Sequence, residues 1–359
     1  MLQALSPAQP PVCQTVYSLV WPATEALVRR CLRDELSTML ANHQDAFTKQ
    51  QDDLHLPFFA AWKTFAASAV HANWEEFPEA YPTAGSSEAI REIIRQARWE
   101  DQVLVVFDGD YEGYEATAAP QGTEVFRIDR NRWREQVEAW RQHGPPWGQR
   151  VAQWWISQPS AIDGNTWPDF APWLAAMQSF LQIRIWVDLA YVGRARQLAP
   201  IDLTQCETVE GVVFSLSKAM GAYYRRIGGC LSRRALPGLW ANRWFKNIDS
   251  LFLGQRWLIQ AKNAKEESTC YQREQVQAMN IALSRIGADQ WADAGITWRA
   301  SDMPLLMHAT PVEASVPEAL SFWWETARRG RDAIASRRLC LTPSLSEVIY
   351  PPTLFKGPV

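Results

Sequence analysis

The stretch Gly211-Val-Val-Phe-Ser215-Leu-Ser-Lys218 decides the fold, because a short β-branched run ends there and a lysine follows it directly. Two further runs of this kind are Val103–Phe107 and Ile183–Val187. Such runs alternate with helical stretches from about residue 56 to 236, a pattern typical of a parallel sheet with helices on both faces. The sequence therefore predicts an α/β fold whose large domain is a three-layer α/β/α structure with a mainly parallel sheet.

Segments on either side of this region predict a second, smaller α+β domain. Trp21–Gln51 and the stretch from Trp240 to Arg285 carry apolar residues at helical spacing, and strands with one more helix are expected from about Asp289 onward. A chain of 359 residues, 47% of them hydrophobic, exceeds the size at which a single core stops growing. We predict an N-terminal arm and part of the small domain in 1–55, a large ligand-binding domain in 56–240, and a connecting helix with the rest of the small domain in 241–359.

Charge and composition favour a small-molecule ligand. The 36 basic and 39 acidic residues nearly cancel, and no long block of either sign predicts a nucleic-acid or membrane-surface partner. No apolar run approaches the ~18 residues needed to cross a bilayer. The six cysteines are scattered without a Cys-x-x-Cys pair, and the first residues lack the features of a signal peptide. We expect a reduced, cytoplasmic location.

Ligands of parallel α/β sheets bind beyond the carboxyl ends of the strands, so residues that follow strands are the first candidates. The turn with Ser86 and Ser87 opens a helix, whose free N–H groups and hydroxyls suit a phosphate, although an ordinary serine cap is the alternative. Asp188 ends a buried strand and is able to keep a heterocyclic nitrogen protonated, or simply to cap a loop. Tyr191 is able to donate to a phenolate oxygen or to pack.

Lys218 is the candidate nucleophile. A lysine directly after a buried strand is well placed to form an imine with an aldehyde cofactor, although a lone lysine is more often a surface cation. Arg226, eight residues further on, is able to reach the same phosphate as the serine turn.

In order and spacing, these motifs resemble the class I/II aminotransferases and their relatives, the pyridoxal-5′-phosphate (PLP) enzymes of fold type I. The resemblance covers roughly residues 80 to 230 and rests on Gly85–Ile90, Asp110–Tyr114, Ser157–Gly164, Asp188–Tyr191 and Ser215–Lys218. In the third of these segments, the chain is similar to the Asn-Pro-x-Asn-Pro-x-Gly loop of the family. The resemblance implies a homodimer, with PLP bound near the subunit boundary.

Residue roles follow from the resemblance. Lys218 would hold PLP as a Schiff base and move the proton at the substrate α-carbon. Asp188 would pair with the pyridine nitrogen, Tyr191 would bond the phenolic oxygen, and Tyr111 would stack on the ring. The phosphate would be held by Ser86, Ser87, Ser215 and Arg226. Arg338 would bind the substrate carboxylate, although Arg337 lies beside it.

The chain departs from the family pattern where Ala161 replaces the usual asparagine, which bonds the phenolic oxygen. Gln158 or Asn165 are candidates to replace that amide. Candidates for the tyrosine that reaches the phosphate from a neighbouring subunit are Tyr17, Phe58 and Phe59. The apolar stretch Leu239–Ile259 suits either a subunit interface or a core helix.

The resemblance predicts a PLP-dependent enzyme that acts at the α-carbon of an amino acid. The leading prediction is an aminotransferase of specialised biosynthesis. The alternative is a cyclodehydratase or β/γ-eliminase of a hydroxylated amino acid such as a hydroxyarginine, with Glu112, Asp110 or Asp163 as the acid that assists the leaving hydroxyl. A binding protein without chemistry would lack the lysine or its pyridine partner, and both are present. A metal hydrolase is disfavoured because the five histidines show no ligand spacing, so we expect no metal.

Overall fold

The computed structural model describes residues 15–16, 18–41, 52–196, 200–204, 206–244, 248–261, 263–331 and 336–351. The helices are α1 (Pro22–Asp34), α2 (Asp52–Ala66), α3 (Ser86–Trp99), α4 (Glu112–Ala118), α5 (Trp133–His143), α6 (Phe170–Met177), α7 (Leu216–Ala219), α8 (Pro237–Trp240), α9 (Ile248–Gln260), α10 (Ala264–Ser268), α11 (Gln272–Ile286), α12 (Ala288–Asp293), α13 (Glu318–Ala327) and α14 (Thr342–Ile349). The strands are β1 (Val70–His71), β2 (Glu79–Thr83), β3 (Val103–Phe107), β4 (Val125–Ile128), β5 (Ala152–Ser157), β6 (Ile183–Asp188), β7 (Ile201–Asp202), β8 (Val209–Ser215), β9 (Gly228–Ser232), β10 (Thr297–Ala300), β11 (Leu306–Thr310), β12 (Arg328–Arg329) and β13 (Ser336–Cys340). Single turns of 3₁₀ helix occur at Trp74–Glu76, Ala119–Gln121, Arg130–Arg132, Tyr223–Arg225 and Ala241–Arg243.

A seven-stranded sheet forms the centre of the molecule, with strand order β2-β9-β8-β6-β5-β3-β4. Its members pair in parallel except β9, which runs antiparallel to both β8 and β2. The three strands that the sequence indicated are all present as β3, β6 and β8. The mainly parallel sheet of the prediction is confirmed.

Helices cover both faces of this sheet, because alternate residues of each buried strand face opposite sides. Val103, Val105 and Phe107 of β3 pack in a large core with α2, α5, α6 and α9. Leu104 and Val106 of the same strand pack in a second core with α3 and α4. The three-layer α/β/α arrangement is therefore confirmed.

The prediction that Phe58 or Phe59 reaches a neighbouring subunit is wrong. Both rings are buried in α2, where they contact Phe214 of β8 edge-on or tilted at centroid distances of 5.9 Å. A side chain that packs against the central sheet cannot extend into another molecule. Tyr17, the third candidate, lies outside the described residues.

The second sheet has the order β10-β11-β13-β12 and is antiparallel. Helices α11 and α13 supply much of its separate apolar core. Past residue 287 the sequence predicted one helix, and the structure contains α12, α13 and α14 there. The sequence signal for α14 is Pro343 at its first turn, a position where proline is favoured because its missing N–H needs no partner. The domain boundaries remain a prediction.

The predicted N-terminal helix Trp21–Gln51 is interrupted. α1 ends at Asp34, Glu35 leaves the helical region with φ −121° and ψ 13°, and residues 36–41 are helical again. The rest of the predicted helix, to residue 51, lies outside the described residues. No helix in the described part of the chain is both long and apolar enough to cross a membrane.

Candidate active site

A cavity of about 570 Å³ opens at the carboxyl ends of β5, β6 and β8, where parallel α/β sheets bind ligands. All nine residues predicted from the sequence line this one cavity: Ser86, Ser87, Tyr111, Asp188, Tyr191, Ser215, Lys218, Arg226 and Arg338. The cavity volume falls within the range of small-molecule sites. The structure thus brings the predicted side chains together, and their roles remain predictions.

Lys218 lies in the short helix α7, which follows β8 directly. Ser215 caps this helix, since its Oγ accepts a hydrogen bond from the Ser217 N–H at 3.1 Å. The Lys218 Nζ donates to the backbone carbonyl of Val16. Burial lowers the pKa of Lys218 to about 8. About a tenth of this amine is therefore neutral at pH 7, against well under a thousandth for an ordinary lysine.

Asp188 is a buried carboxylate at the end of β6. Its Oδ1 accepts from the Ala190 N–H at 3.0 Å, and its Oδ2 accepts from the Tyr114 hydroxyl at 3.1 Å. Burial raises the pKa of Asp188 to about 7, and the charge of the nearby Asp110 adds to the shift. A cation next to this carboxyl group would stabilise its ionised form.

Gly85, the cap of α3, lies against Ser215 and Arg226, and these three residues, called the anion cradle below, are arranged in a way that could hold an anion. Gly85 has φ +81°, and a Cβ on it would lie 3.0 Å from Arg226 Nη2 and 3.3 Å from Ser215 Oγ. Glycine is therefore required for this close approach. The Arg226 Nη2 donates to the Ala84 carbonyl at 2.6 Å, which fixes the guanidinium beside the free N–H groups of the α3 N-terminus.

The two predicted tyrosines flank the same space. Tyr111 precedes α4, hydrogen-bonds to Ser87, and contacts Tyr114 edge-on at a centroid distance of 5.3 Å. Tyr191 is buried, and burial raises its pKa to about 12. Its hydroxyl therefore keeps its proton at neutral pH and is able to donate a hydrogen bond.

Arg338 and not Arg337 faces the cavity. The side chain of Arg338 is only 2% exposed, and its Nη1 donates to the carbonyl of Ala161. Arg337 faces the other side of β13, donates to the Trp324 carbonyl at 3.0 Å and lies over the ring of that residue. Because neighbouring residues of a strand point to opposite faces, only one of the two arginines is able to reach the cavity.

Neither amide proposed to replace the missing asparagine lies in the cavity. Gln158 forms two hydrogen bonds with the backbone of Trp167, at 3.1 and 3.2 Å. The Asn165 Oδ1 accepts from the Asp302 N–H at 2.9 Å. Ala161 itself lines the cavity. The prediction that Gln158 or Asn165 replaces the missing asparagine is therefore wrong, because both side chains form hydrogen bonds elsewhere.

Of the three candidate acids, only Glu112 lines the cavity. Asp110 is buried below it, where its carboxylate accepts from the Ser157 hydroxyl and from the Tyr111 N–H. Asp163 lines a second cavity of about 300 Å³ and pairs with Arg130 at 2.9 Å.

Sequence reasoning missed Tyr114, which donates a hydrogen bond to Asp188, and it also missed one wall of the cavity. Tyr114 lies three residues after Tyr111, on the same side of α4, and that helical spacing could have identified it. The wall formed by Thr15, Val16 and Ser18 has no signal in the sequence. Among the described residues, no group of three His, Cys, Asp or Glu side chains is arranged to hold a metal ion.

The fold is that of the PLP-dependent enzymes of fold type I, and comparison with solved structures confirms the resemblance at this level. The histidinol-phosphate aminotransferase of Sinorhizobium meliloti, in complex with pyridoxal-5′-phosphate, superposes with a TM-score of 0.60 at 15% sequence identity, over 94% of this chain and 90% of that one. The kynurenine aminotransferase of Pyrococcus horikoshii superposes with a TM-score of 0.61 at 15% identity, over 95% and 91%. The PLP-bound C–S lyase of Staphylococcus hominis gives 0.58 at 10% identity, over 82% and 81%. No protein-family model and no curated protein sequence matches the chain.

Proposed function

We propose that the chain is a PLP-dependent enzyme that acts at the α-carbon of an amino acid, in the first place an aminotransferase of specialised biosynthesis. One observation carries the proposal: a single cavity joins a lysine of pKa about 8, a buried carboxylate and an anion cradle. These groups match the aldehyde, the ring nitrogen and the phosphate of PLP. The aminotransferases and the C–S lyase with the same fold support this reading.

The residues of the cavity fit PLP by their chemistry. Ser86, Ser87, Ser215 and Arg226 would hold the phosphate, with the N–H groups at the start of α3. Tyr111 would stack on the ring, and the Tyr191 hydroxyl would donate to its phenolic oxygen. Asp188 would keep the ring nitrogen protonated, because a buried carboxylate stabilises an adjacent cation. Tyr114 holds this carboxylate in place through its hydrogen bond.

When bound, PLP supplies an electron sink for a carbanion at the substrate α-carbon. The protein provides the base: Lys218, whose amine is partly neutral at pH 7, would remove and return the α-proton. Arg338 would hold the substrate carboxylate. Its guanidinium is fixed by the Ala161 carbonyl, so the carboxylate would meet a preoriented donor.

A second candidate is a PLP-dependent cyclodehydratase or β/γ-eliminase of a hydroxylated amino acid, for example a hydroxyarginine. The observation that favours it is the alanine at 161, which lines the cavity without an amide donor. A phenolic oxygen with one hydrogen-bond donor fewer has a different proton affinity, and this changes how the substrate carbanion reacts.

Absorbance and mass measurements test both candidates. The protein mixed with PLP is expected to develop a band near ~420 nm that is absent in Lys218→Ala, as for a cofactor bound covalently to that lysine. Absence of the band in the unaltered protein would refute the proposal. With the band present, a panel of amino acids that includes hydroxylated arginines separates the reactions. A keto-acid product indicates transamination, and loss of one water without an acceptor indicates the second candidate.

We also propose a cytoplasmic homodimer with an amino-acid substrate and no nucleic-acid partner. The resemblance to fold type I enzymes supports the dimer, and exposed aromatic side chains at the cavity mouth, Tyr223 and Tyr224, support a covering surface there. Light scattering after size-exclusion chromatography tests the dimer, and a monomer at micromolar concentration would refute it.

A further inference from the structure

Five charged side chains line the cavity within the described part of the chain: Lys218, Arg226, Arg338, Asp188 and Glu112. In the proposed function, the first four each meet a defined group, namely the aldehyde, the phosphate, the substrate carboxylate and the ring nitrogen. Neither PLP nor the α-amino acid moiety supplies a counterpart for Glu112. Among the groups of cofactor and substrate, only the variable side chain of the substrate is left to face this carboxylate, which is also paired with Arg329 of the protein.

The position of Glu112 is fixed by a buried arginine. Glu112 is the first residue of α4, and 54% of its side chain is accessible. The Arg329 Nη2 donates to its Oε2 at 2.9 Å. Arg329 itself is held by the carbonyls of Gly109 and Asp110, at 3.1 and 2.6 Å. The carboxylate is thus oriented before any ligand binds.

Glu112 remains ionised and faces the reacting end of the cavity. Partial burial of Glu112 raises its pKa, but the Arg329 guanidinium outweighs this effect and lowers the pKa below its usual range. An acid that must donate a proton near pH 7 needs a raised pKa, so this residue is a poor proton donor. Its charge also interacts with the Lys218 ammonium and the Arg338 guanidinium, the groups expected around the substrate α-carbon and carboxylate.

We propose that Glu112 selects amino acids whose side chain carries a positive charge, an ammonium or a guanidinium group. This inference rests on the proposed function and specifies its substrate class. A cationic side chain would form a charge-assisted hydrogen bond with a carboxylate that is already in place. An acidic side chain would be repelled, and a neutral one would add no partner to the Glu112 carboxylate beyond Arg329.

The competing explanation is that Glu112 serves only as the counterion of the buried Arg329. Removal of the charge would then change the stability of the protein and leave amino-acid selection as it was. The two explanations differ in one measurable quantity, the ratio of affinities for a cationic amino acid and its neutral isostere.

The test uses the PLP-loaded protein after borohydride reduction of the linkage to Lys218, so that binding is measured without turnover. Calorimetry compares L-arginine with L-citrulline and L-lysine with L-norleucine, in the unaltered protein, in Glu112→Gln and in Glu115→Gln. Glu115 is the matched control, since it lies on the same helix and pairs with Arg127 outside the cavity. We expect tighter binding of the cationic member of each pair, and a loss of roughly tenfold or more in this preference in Glu112→Gln alone.

Two results would overturn the proposal: no preference for arginine or lysine in the unaltered protein, or an unchanged preference in Glu112→Gln. A lower melting temperature of Glu112→Gln with the preference intact would establish the counterion explanation instead. Failure of the proposed function is visible separately, because a protein without the ~420 nm band carries no cofactor to reduce.

Discussion

Replacement of Asp188 by asparagine is expected to stabilise the cofactor-free protein, and to do so more strongly as the pH rises. Burial raises the pKa of Asp188 from 3.8 to about 7, so the folded protein keeps a proton that the unfolded chain releases. The stability contributed by the protonated acid is complete below about pH 4 and is lost as the pH passes through about 7. Asparagine carries no charge at any pH and is not subject to this loss.

The magnitude follows from the shift. A difference of about three pKa units corresponds to about 4 kcal/mol between the two limits of pH. Between pH 5 and pH 8, the free energy of unfolding of Asp188→Asn should therefore gain about 2 to 3 kcal/mol relative to the unaltered protein. With PLP bound, the unaltered protein is expected to be the more stable of the two. The Asp188 carboxylate then pairs with the protonated ring nitrogen, so that binding stabilises the unaltered protein more than the variant.

Urea unfolding of both proteins at pH 5 and pH 8, with and without PLP, measures these differences. A gap between the two cofactor-free proteins that stays constant across this range would refute the reasoning, because Asp188 would then not ionise there. Asp202→Asn is the control of opposite sign. Hydrogen bonds from Thr204 lower the pKa of the exposed Asp202. The Asp202→Asn variant is therefore expected to be less stable than the unaltered protein at any pH above the ordinary pKa of an aspartic acid.

Three further predictions concern reactivity, the cradle and the core. Trace acetylation followed by mass spectrometry should show half-maximal reactivity of Lys218 near pH 8, against ~10.4 in the denatured chain, since burial favours the neutral amine. Gly228→Ala should weaken phosphate and PLP binding about tenfold in calorimetry, because its Cβ would lie 2.5 Å from the Phe214 carbonyl and 2.7 Å from the Gly85 Cα, displacing the cradle. Trp154→Ala should cost about 3 to 5 kcal/mol in urea unfolding, since its fully buried side chain leaves a large cavity.

For each of these three predictions, one outcome would contradict it, and a control is available. Reactivity of Lys218 that rises only near pH ~10 would contradict the first. Gly238→Ala is the control for the second, since the nearest atom to its new Cβ is the flexible end of Glu92 at 3.1 Å; equal phosphate affinities would contradict the prediction. Trp99, with 71% exposure, is the control for the third, and equal losses at Trp99 and Trp154 would contradict it.

The elements of the large sheet were predictable because their signal is local. The β-branched runs of β3, β6 and β8 needed only their own residues and the helical stretches between them. The positions of Lys218 and Asp188 at the cavity were also predictable, since residues that follow parallel strands meet at one edge of the sheet.

Helix ends outside this sheet were less predictable. Helix α14 packs against α11, an element distant along the chain, and no local pattern marked the break at Glu35. Local propensity is weak, and tertiary contacts decide whether such segments are helical. The side of β13 on which Arg338 lies became clear only from the register of the second sheet.

The sequence by itself thus determined the fold class and the strand-end residues that approach one cavity, since both follow from short-range patterns and from the direction of the strands. Tyr111 and Arg338 were predicted only from the resemblance to fold type I enzymes. Tertiary structure alone decided the chemistry of these residues. The Tyr114–Asp188, Val16–Lys218 and Glu112–Arg329 contacts join residues 74, 202 and 217 positions apart. Burial and such distant partners set the pKa values and fix the orientation of the charges, and neither can be derived from neighbours along the chain.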